Sequence, residues 1–166
     1  ANITGTAGND TITSGFVSGG VAGGTPGAGA DSIEGMDGND TLEGGAGANT
    51  LRGGAGNDFL VNGSDGEVID GGDGIDVALW ENATGSVTIN LTAGTANGAG
   101  VGSDTLIGIE NAHGSRDFGD SITGSALGQY FFGRGGNDTI RALDGNDWFY
   151  GGSGADLLDG GNGFDR

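Results

Sequence analysis

Residues 26–79 read PGAGADSIE, GMDGNDTLE, GGAGANTLR, GGAGNDFLV, NGSDGEVID and GGDGIDVAL, which are six consecutive nine-residue units. From residue 115 a second run reads SRDFGDSIT, GSALGQYFF, GRGGNDTIR, ALDGNDWFY, GGSGADLLD and the incomplete GGNGFDR. An isolated unit, GTAGNDTIT, occupies residues 5–13. The shared pattern is G-G-x-G-x-D-x-U-x, with U aliphatic or aromatic, so the chain is organised by an internal repeat of short period.

Each unit predicts a turn followed by a short strand. The glycines of the first six positions permit a left-handed backbone and a close approach of carbonyl groups. Position 8 carries the apolar residue, at Ile33, Leu42, Leu51, Leu60, Ile69, Ala78, Ile122, Phe131, Ile140, Phe149 and Leu158. One apolar side chain per unit cannot form a core alone, so the units must stack.

Composition narrows the function classes. The chain has 42 glycines among 166 residues, no lysine, no cysteine and a net charge of −18. Disulfides and thiolate metal sites are therefore excluded, nucleic-acid binding is disfavoured, and no apolar run is long enough to span a membrane. Such acidity fits either a solvated, disordered chain or a fold whose carboxylates are neutralised by bound cations. The regular recurrence of the aspartates favours cations.

About a dozen in-frame units resemble the RTX (haemolysin-type) calcium-binding nonapeptide-repeat family. The resemblance implies an all-β fold, a right-handed parallel β-roll of two stacked repeat blocks with two units per 18-residue coil and an intervening non-repeat strand and loop segment. It also implies several calcium ions as cofactor and secretion by a bacterial type I route. The protein would then fold at the higher calcium concentration outside the cell or at its surface.

The same resemblance implies that each ion lies between turns one coil apart, which sorts position 6 into columns. These are Asp40, Asp58 and Asp76; Asp31, Asn49 and Glu67; Asp120, Asp138 and Asp156; and Gln129, Asp147 and Asp165. Strong sites are predicted at Asp40/Asp58, Asp58/Asp76, Asp120/Asp138, Asp138/Asp156 and Asp147/Asp165. Pairs through Asn49, Glu67 or Gln129 should be weak or empty, and Phe118, where a glycine is usual, weakens Asp120/Asp138.

The predicted carboxylate ligands are Asp10, Asp31, Asp40, Asp58, Asp76, Asp120, Asp138, Asp147, Asp156 and Asp165. The predicted turn ligands are Met36, Gly38, Gly53, Gly54, Ala55, Gly56, Gly71, Asp73, Gly133, Arg134, Gly135, Gly136, Leu143, Gly145, Gly151, Ser153, Gly160 and Asn162. Backbone carbonyls tolerate any side chain, so Met36 and Arg134 are compatible with this role. An all-oxygen set suits calcium better than magnesium, which keeps its waters in a smaller octahedral shell. The alternative is that these aspartates only form turns.

Four segments are predicted: 1–25, a repeat unit with a glycine-rich insertion; 26–79, the first block; 80–114, a non-repeat segment; and 115–166, the second block. Residues 86–91 alternate polar and apolar side chains and predict a half-buried strand, whereas residues 95–102 predict a loop.

Apolar residues also occur at positions 7 and 9, which should point away from the core. They are Phe59, Val61, Val77, Leu79, Trp80, Tyr130, Phe132, Trp148 and Tyr150. Such faces are covered within the chain, contact another subunit in a homo-oligomer or stack on a polysaccharide. All three readings stay open on sequence alone.

The sequence contains no catalytic constellation, and its sole histidine, His113, is expected to be a packed or surface residue at a place resembling position 8. We therefore expect a non-enzymatic, extracellular calcium-binding structural module within a self-assembling surface layer, adhesin or filament. The alternative is a repeat domain appended to a secreted hydrolase or polysaccharide-modifying enzyme. An ice-binding array fits poorly because the outward rows are irregular.

Overall fold

The computed structural model describes all 166 residues, Ala1–Arg166, and consists of strands and turns. The strands are β1 (Asn2–Thr4), β2 (Thr11–Thr13), β3 (Phe16–Val17), β4 (Ser32–Asp37), β5 (Thr41–Glu43), β6 (Thr50–Ala55), β7 (Phe59–Val61), β8 (Val68–Asp73), β9 (Val77–Leu79), β10 (Val87–Asn90), β11 (Thr95–Gly98), β12 (Gly102–Ile107), β13 (Asn111–His113), β14 (Ser121–Thr123), β15 (Tyr130–Gly135), β16 (Thr139–Arg141), β17 (Trp148–Ser153) and β18 (Leu157–Asp159). No helix long and apolar enough to cross a bilayer is present.

Two sheets face each other, and successive units alternate between them. Sheet one has the order β1-β4-β6-β8-β12-β11-β10-β14-β16-β18, and sheet two has the order β17-β15-β13-β9-β7-β5-β2-β3. Most pairings are parallel, and within the blocks they join residues 18 apart, as in Leu51 with Ile69. This confirms the predicted all-β parallel β-roll with two units per coil.

The core is the column of position-8 side chains between the sheets. Ile33, Leu51 and Ile69 form such a column in sheet one, and each is completely buried. Burying one such side chain contributes roughly 1.5–3 kcal/mol, so stability accumulates coil by coil. Only the last coil leaves its position-8 residue, Leu158, exposed.

The segment 80–114 continues both sheets. Strands β10, β11 and β12 form an antiparallel meander in sheet one, in which β12 pairs with β8 and β10 pairs with β14. Strand β13 fills the matching place in sheet two, between β9 and β15. The predicted half-buried strand is confirmed as β10, whereas the predicted loop over 95–102 is wrong because β11 lies there.

The repeat frame shifts by one residue where the second block begins. Ala112, paired with Ala78 and Phe131, occupies the core position that the sequence suggested for His113. His113 instead packs its ring 4.5 Å from that of Phe132. Burial, aided by the charge of Arg134, lowers the pKa of His113 to about 4, so the ring is neutral at ordinary pH.

The outer face of sheet two is apolar along both blocks, but only part of it is accessible. Val61, Leu79 and Trp80 are buried, which for these three residues agrees with the reading that the chain itself covers the face. Aromatic side chains of the second block do face solvent. The pairs are Tyr130 with Trp148, at 5.9 Å between ring centroids, and Phe132 with Tyr150, at 6.3 Å. Phe59 is exposed as well, and Val77 is half-buried.

Candidate metal centres

The turns lie along two edges of the roll. The first edge carries the turns that lead from sheet one to sheet two, with Asp10, Asp40, Asp58, Asp76, Glu110, Gln129, Asp147 and Asp165 in order. The second edge carries the returning turns, with Asp31, Asn49, Glu67, Asp120, Asp138 and Asp156. The two complete aspartate columns predicted from the sequence therefore lie on opposite edges.

Position-6 residues one coil apart are linked by hydrogen bonds. The N–H of Asp40 donates to Oδ1 of Asp58 (2.7 Å), and the N–H of Asp58 donates to Oδ1 of Asp76 (2.8 Å). The same bond joins Asp120 to Asp138 at 2.7 Å, Asp138 to Asp156 at 2.9 Å and Asp147 to Asp165 at 3.0 Å. The structure thus brings together every carboxylate pair for which a strong site was predicted.

The second carboxylate oxygen is left without a partner in five of these residues. Oδ2 is buried and accepts no hydrogen bond in Asp40, Asp58, Asp76, Asp138 and Asp147. Leaving such a group unsatisfied costs about 1–3 kcal/mol, and more when it is charged. Burial raises the pKa of each of these carboxyls, that of Asp76 to about 6. A bound cation would satisfy these oxygens and keep the carboxylates ionised.

The glycine at position 1 leaves the space into which these oxygens point. A Cβ atom built on Gly53 would collide with Oδ2 of Asp58 and lie 2.6 Å from the carbonyl oxygen of Gly71 in the next coil. Gly133 has the same surroundings, with Asp138 and the carbonyl of Gly151. A carboxylate oxygen and a backbone carbonyl therefore face one space, and these are the hard oxygen ligands that calcium takes.

The turns adopt two forms, which differ at position 2. In the form that we call open, position 2 has φ between 74° and 116°. The open turns are 35–40, 44–49, 53–58, 71–76, 133–138, 142–147, 151–156 and 160–165. All the predicted carbonyl ligands lie in open turns. Some of these carbonyls already accept one hydrogen bond, as Ala55 does from the N–H of Gly38 (2.8 Å), which leaves a second lone pair.

In the form that we call closed, the N–H group of position 2 donates a hydrogen bond to the side chain of position 6. Thr6 donates to Asp10 (2.6 Å) and Gly27 to Asp31 (2.7 Å). Ser115 donates to Asp120 (2.6 Å) through its N–H and again through its hydroxyl group (2.8 Å). These three predicted ligands are therefore satisfied within the protein, and Asp31 also contacts the N-terminal ammonium group.

A comparison with protein families gives these turns a name. The RTX calcium-binding nonapeptide repeat model matches in four copies, over residues 2–16, 25–60 and 132–166, which together exceed half of the chain. The chain belongs to the RTX calcium-binding nonapeptide-repeat family. It is a calcium-binding module of the kind found in secreted proteins. A search of curated proteins found no match.

Asn49 shows how an RTX turn satisfies itself without an ion. Its Oδ1 accepts the N–H of Asp31 (2.8 Å), as an aspartate would, while its Nδ2 donates to the carbonyl of Gly47 (2.8 Å). That carbonyl is at position 4, which the family pattern implies as a ligand. Gln129 is likewise satisfied, since its Oε1 accepts the N–H of Ser125 (2.6 Å).

A buried polar cluster that the repeat pattern did not indicate lies beside Glu67. The N–H of Glu67 donates to Oδ1 of Asp104 (2.9 Å), and Nδ2 of Asn62 donates to both carboxylates, at 2.7 and 2.9 Å. The indole of Trp80 completes the shell of Asp104 (2.9 Å). Burial and the Asp104 charge raise the pKa of Glu67 to about 8. The side chain of Asp104, from β12, thus takes the place of the next repeat aspartate after Glu67 in this RTX column.

The register shift explains the unusual turn at Phe118. A Cβ atom at Gly114 would collide with Oδ2 of Asp120, as it would at a position-1 glycine, so the turn contains seven residues rather than six. Phe118 does not adopt the left-handed backbone found at position 4 of the open turns, and neither do Gly8 and Gly29 in the closed turns of Asp10 and Asp31. Met36, Arg134 and Leu143, by contrast, occupy position 2 of open turns at φ of 87°, 79° and 83°. Their carbonyls fit the ligand pattern, but a side chain there strains the backbone.

Proposed function

We propose that calcium binding drives the folding of this module, and that the ions lie between open turns one coil apart. The pairs are Asp40/Asp58, Asp58/Asp76, Asp138/Asp156 and Asp147/Asp165. The observation that carries the proposal is the set of five buried, unpartnered Oδ2 atoms. Asp120/Asp138 is left out of the set because Ser115 already satisfies Asp120.

The electrostatics of the chain support coupling between folding and calcium. The net charge is −18, and the first edge stacks carboxylates about one strand spacing, ~4.8 Å, apart. Without cations the compact state therefore carries both self-repulsion and unsatisfied buried charge. A ligand that binds only the folded state stabilises it by mass action. A secreted module of this kind stays unfolded in calcium-poor cytosol and folds at the millimolar calcium found outside cells.

Circular dichroism of the 166-residue chain tests this proposal directly. At pH 7.5 in excess EDTA the chain is expected to be disordered, and titration with calcium should produce the β-sheet signal cooperatively. Magnesium at equal concentration serves as the control cation and should leave the chain disordered. An unchanged β-sheet signal in EDTA would overturn the proposal.

The exposed aromatic residues of sheet two support a role for the folded module in extracellular assembly. Tyr130, Phe132, Trp148 and Tyr150 form one continuous face, and Tyr150 is 65% exposed. A face of this kind is typical of an interface. Size-exclusion chromatography should show larger species with calcium than with EDTA, and Trp148→Ser combined with Tyr150→Ser should abolish them. A monomer under all conditions would contradict assembly.

The second candidate function is that of a repeat module attached to a secreted enzyme acting on polysaccharide. It is favoured by the guanidinium of Arg166, which lies 5.2 Å from the centroid of the Trp148 ring. An aromatic ring beside a cation suits stacking on an acidic sugar. Calcium-dependent retardation of the monomer on an alginate column, lost in Trp148→Ser, would support this function over self-assembly.

A further inference from the structure

Glu110 lies outside every repeat unit, yet it continues the ladder of the first edge. It belongs to the short connection 108–110, between β12 and β13, which stacks on the open turn 71–76. The N–H of Asp76 donates to Oε2 of Glu110 (2.9 Å). Within the repeats, the N–H of Asp58 donates to Oδ1 of Asp76 in the same way (2.8 Å).

The oxygen atoms around Asp76 repeat the arrangement found one coil below. Asp76 is fully buried, and its Oδ2 has no partner. A Cβ atom at Gly71 would collide with both this Oδ2 and the carbonyl oxygen of Gly108, just as one at Gly53 would meet Asp58 and Gly71. The non-repeat segment thus supplies the carbonyl and the carboxylate that a next repeat would supply.

The connection that carries Glu110 is shorter than a repeat turn. An RTX turn has six residues from position 1 to the aspartate, both included, whereas the connection 108–110 has three. Despite this difference in length, Oε2 of Glu110 reaches the N–H of Asp76 as a repeat aspartate would. In the next coil, Nε2 of Gln129 donates to the carbonyl of Glu110 (2.5 Å), so a neutral amide separates Glu110 from Asp147 along the first edge.

We propose that Asp76 and Glu110 bind a further calcium ion, together with backbone carbonyls of the turn 71–76 and of Gly108. The proposal rests on the calcium-driven fold proposed above. With this site, the first edge of the first block holds a run of three ions, at Asp40/Asp58, Asp58/Asp76 and Asp76/Glu110. The last of these joins the repeat block to the non-repeat segment.

Native mass spectrometry of the calcium-loaded 166-residue chain counts the ions. Glu110→Gln keeps an acceptor for the Asp76 N–H but removes the charge, so it should bind one ion fewer than the parent protein. Glu34→Gln is the matched control, because Glu34 is exposed on β4 and makes no side-chain hydrogen bond or ion pair, and it should bind the full number. An unchanged ion count and calcium affinity in Glu110→Gln would overturn the proposal.

Crystals of the parent protein grown with calcium give a test that does not depend on a variant folding. Anomalous difference maps should show a peak between Asp76 and Glu110 in addition to peaks at Asp40/Asp58 and Asp58/Asp76. Peaks at the two repeat pairs without one at Asp76/Glu110 would refute this site alone. The absence of all three would refute the proposed function as well.

Discussion

Replacing Asp58 by asparagine should change stability in opposite directions with and without calcium. Asp58 lies in the middle of the first-edge column, and two of the proposed ions depend on it. Its Oδ1 accepts the N–H of Asp40, a bond that an asparagine keeps. Its unpartnered Oδ2 becomes an amide, which should bind the carbonyl of Gly56 as Asn49 binds that of Gly47.

The size of each effect follows from these contacts. At a calcium concentration about a hundredfold above the Kd, each ion contributes about 2.7 kcal/mol, so losing two costs about 5 kcal/mol. That loss is comparable with the whole unfolding free energy of a typical domain, about 5–15 kcal/mol. Without calcium, removing an unsatisfied buried carboxylate should instead stabilise the fold by about 1–3 kcal/mol.

Urea unfolding followed by circular dichroism measures the first effect in 10 mM calcium. The second is measured in EDTA, with trimethylamine N-oxide added until the metal-free chain folds. Asp37→Asn is the control, because Asp37 is an exposed residue of the neighbouring open turn 35–40 and its loss changes the net charge equally. Destabilisation of Asp58→Asn in EDTA, or no destabilisation in calcium, would refute the assignment of Asp58 as a shared ligand.

Three further substitutions probe the turns and the buried cluster. Leu143→Gly should stabilise the calcium-loaded protein by about 1 kcal/mol in urea unfolding, because it relieves a positive φ at an exposed side chain. Leu127→Gly, where φ is not positive, should destabilise it. Glu67 has a folded-state pKa of about 8 against the usual 4.5, so its contribution to stability is complete below about pH 4.5 and declines as the pH rises through 8. Glu67→Gln should remove that decline between pH 5 and 9 at saturating calcium, and an identical pH profile would contradict it. Asn49→Asp should free the carbonyl of Gly47 but leave the calcium count in native mass spectrometry unchanged, because neither turn one coil away, 26–31 or 62–67, is open; an added ion would contradict the requirement for two open turns.

The fold of the repeat blocks could be predicted from the sequence because the same position has the same role in each unit. Position 8 gave the core, and the 18-residue spacing gave the pairs, such as Asp138 with Asp156. The residue at position 6 alone did not distinguish open from closed turns. The distinction depends on whether the residue at position 2 donates a hydrogen bond to the position-6 side chain. Asp10 and Asp120 look like ligands in the pattern, but Thr6 and Ser115 satisfy them in the structure.

The non-repeat segment was less predictable because its contacts are not periodic. Asp104 and Glu110 replace repeat aspartates on the two edges, yet neither stands at a repeat spacing from its neighbours. The extra residue between Gly114 and Asp120 could not be recognised from the sequence, for a related reason. The letters from residue 115 fit the repeat frame, and only the pairing of Ala112 in sheet two reveals the shift.

The meander of β10, β11 and β12 also determines the register in which the two repeat blocks stack. Coils of one repeat are nearly equivalent, so a block displaced by 18 residues would keep its core side chains and its carboxylate ladder. The meander has no equivalent elsewhere, and it must match β8 on one side and β14 on the other. Only one alignment of the two blocks meets both conditions. The residues that obey the repeat provide cation affinity, and the residues that depart from it make the native register unique.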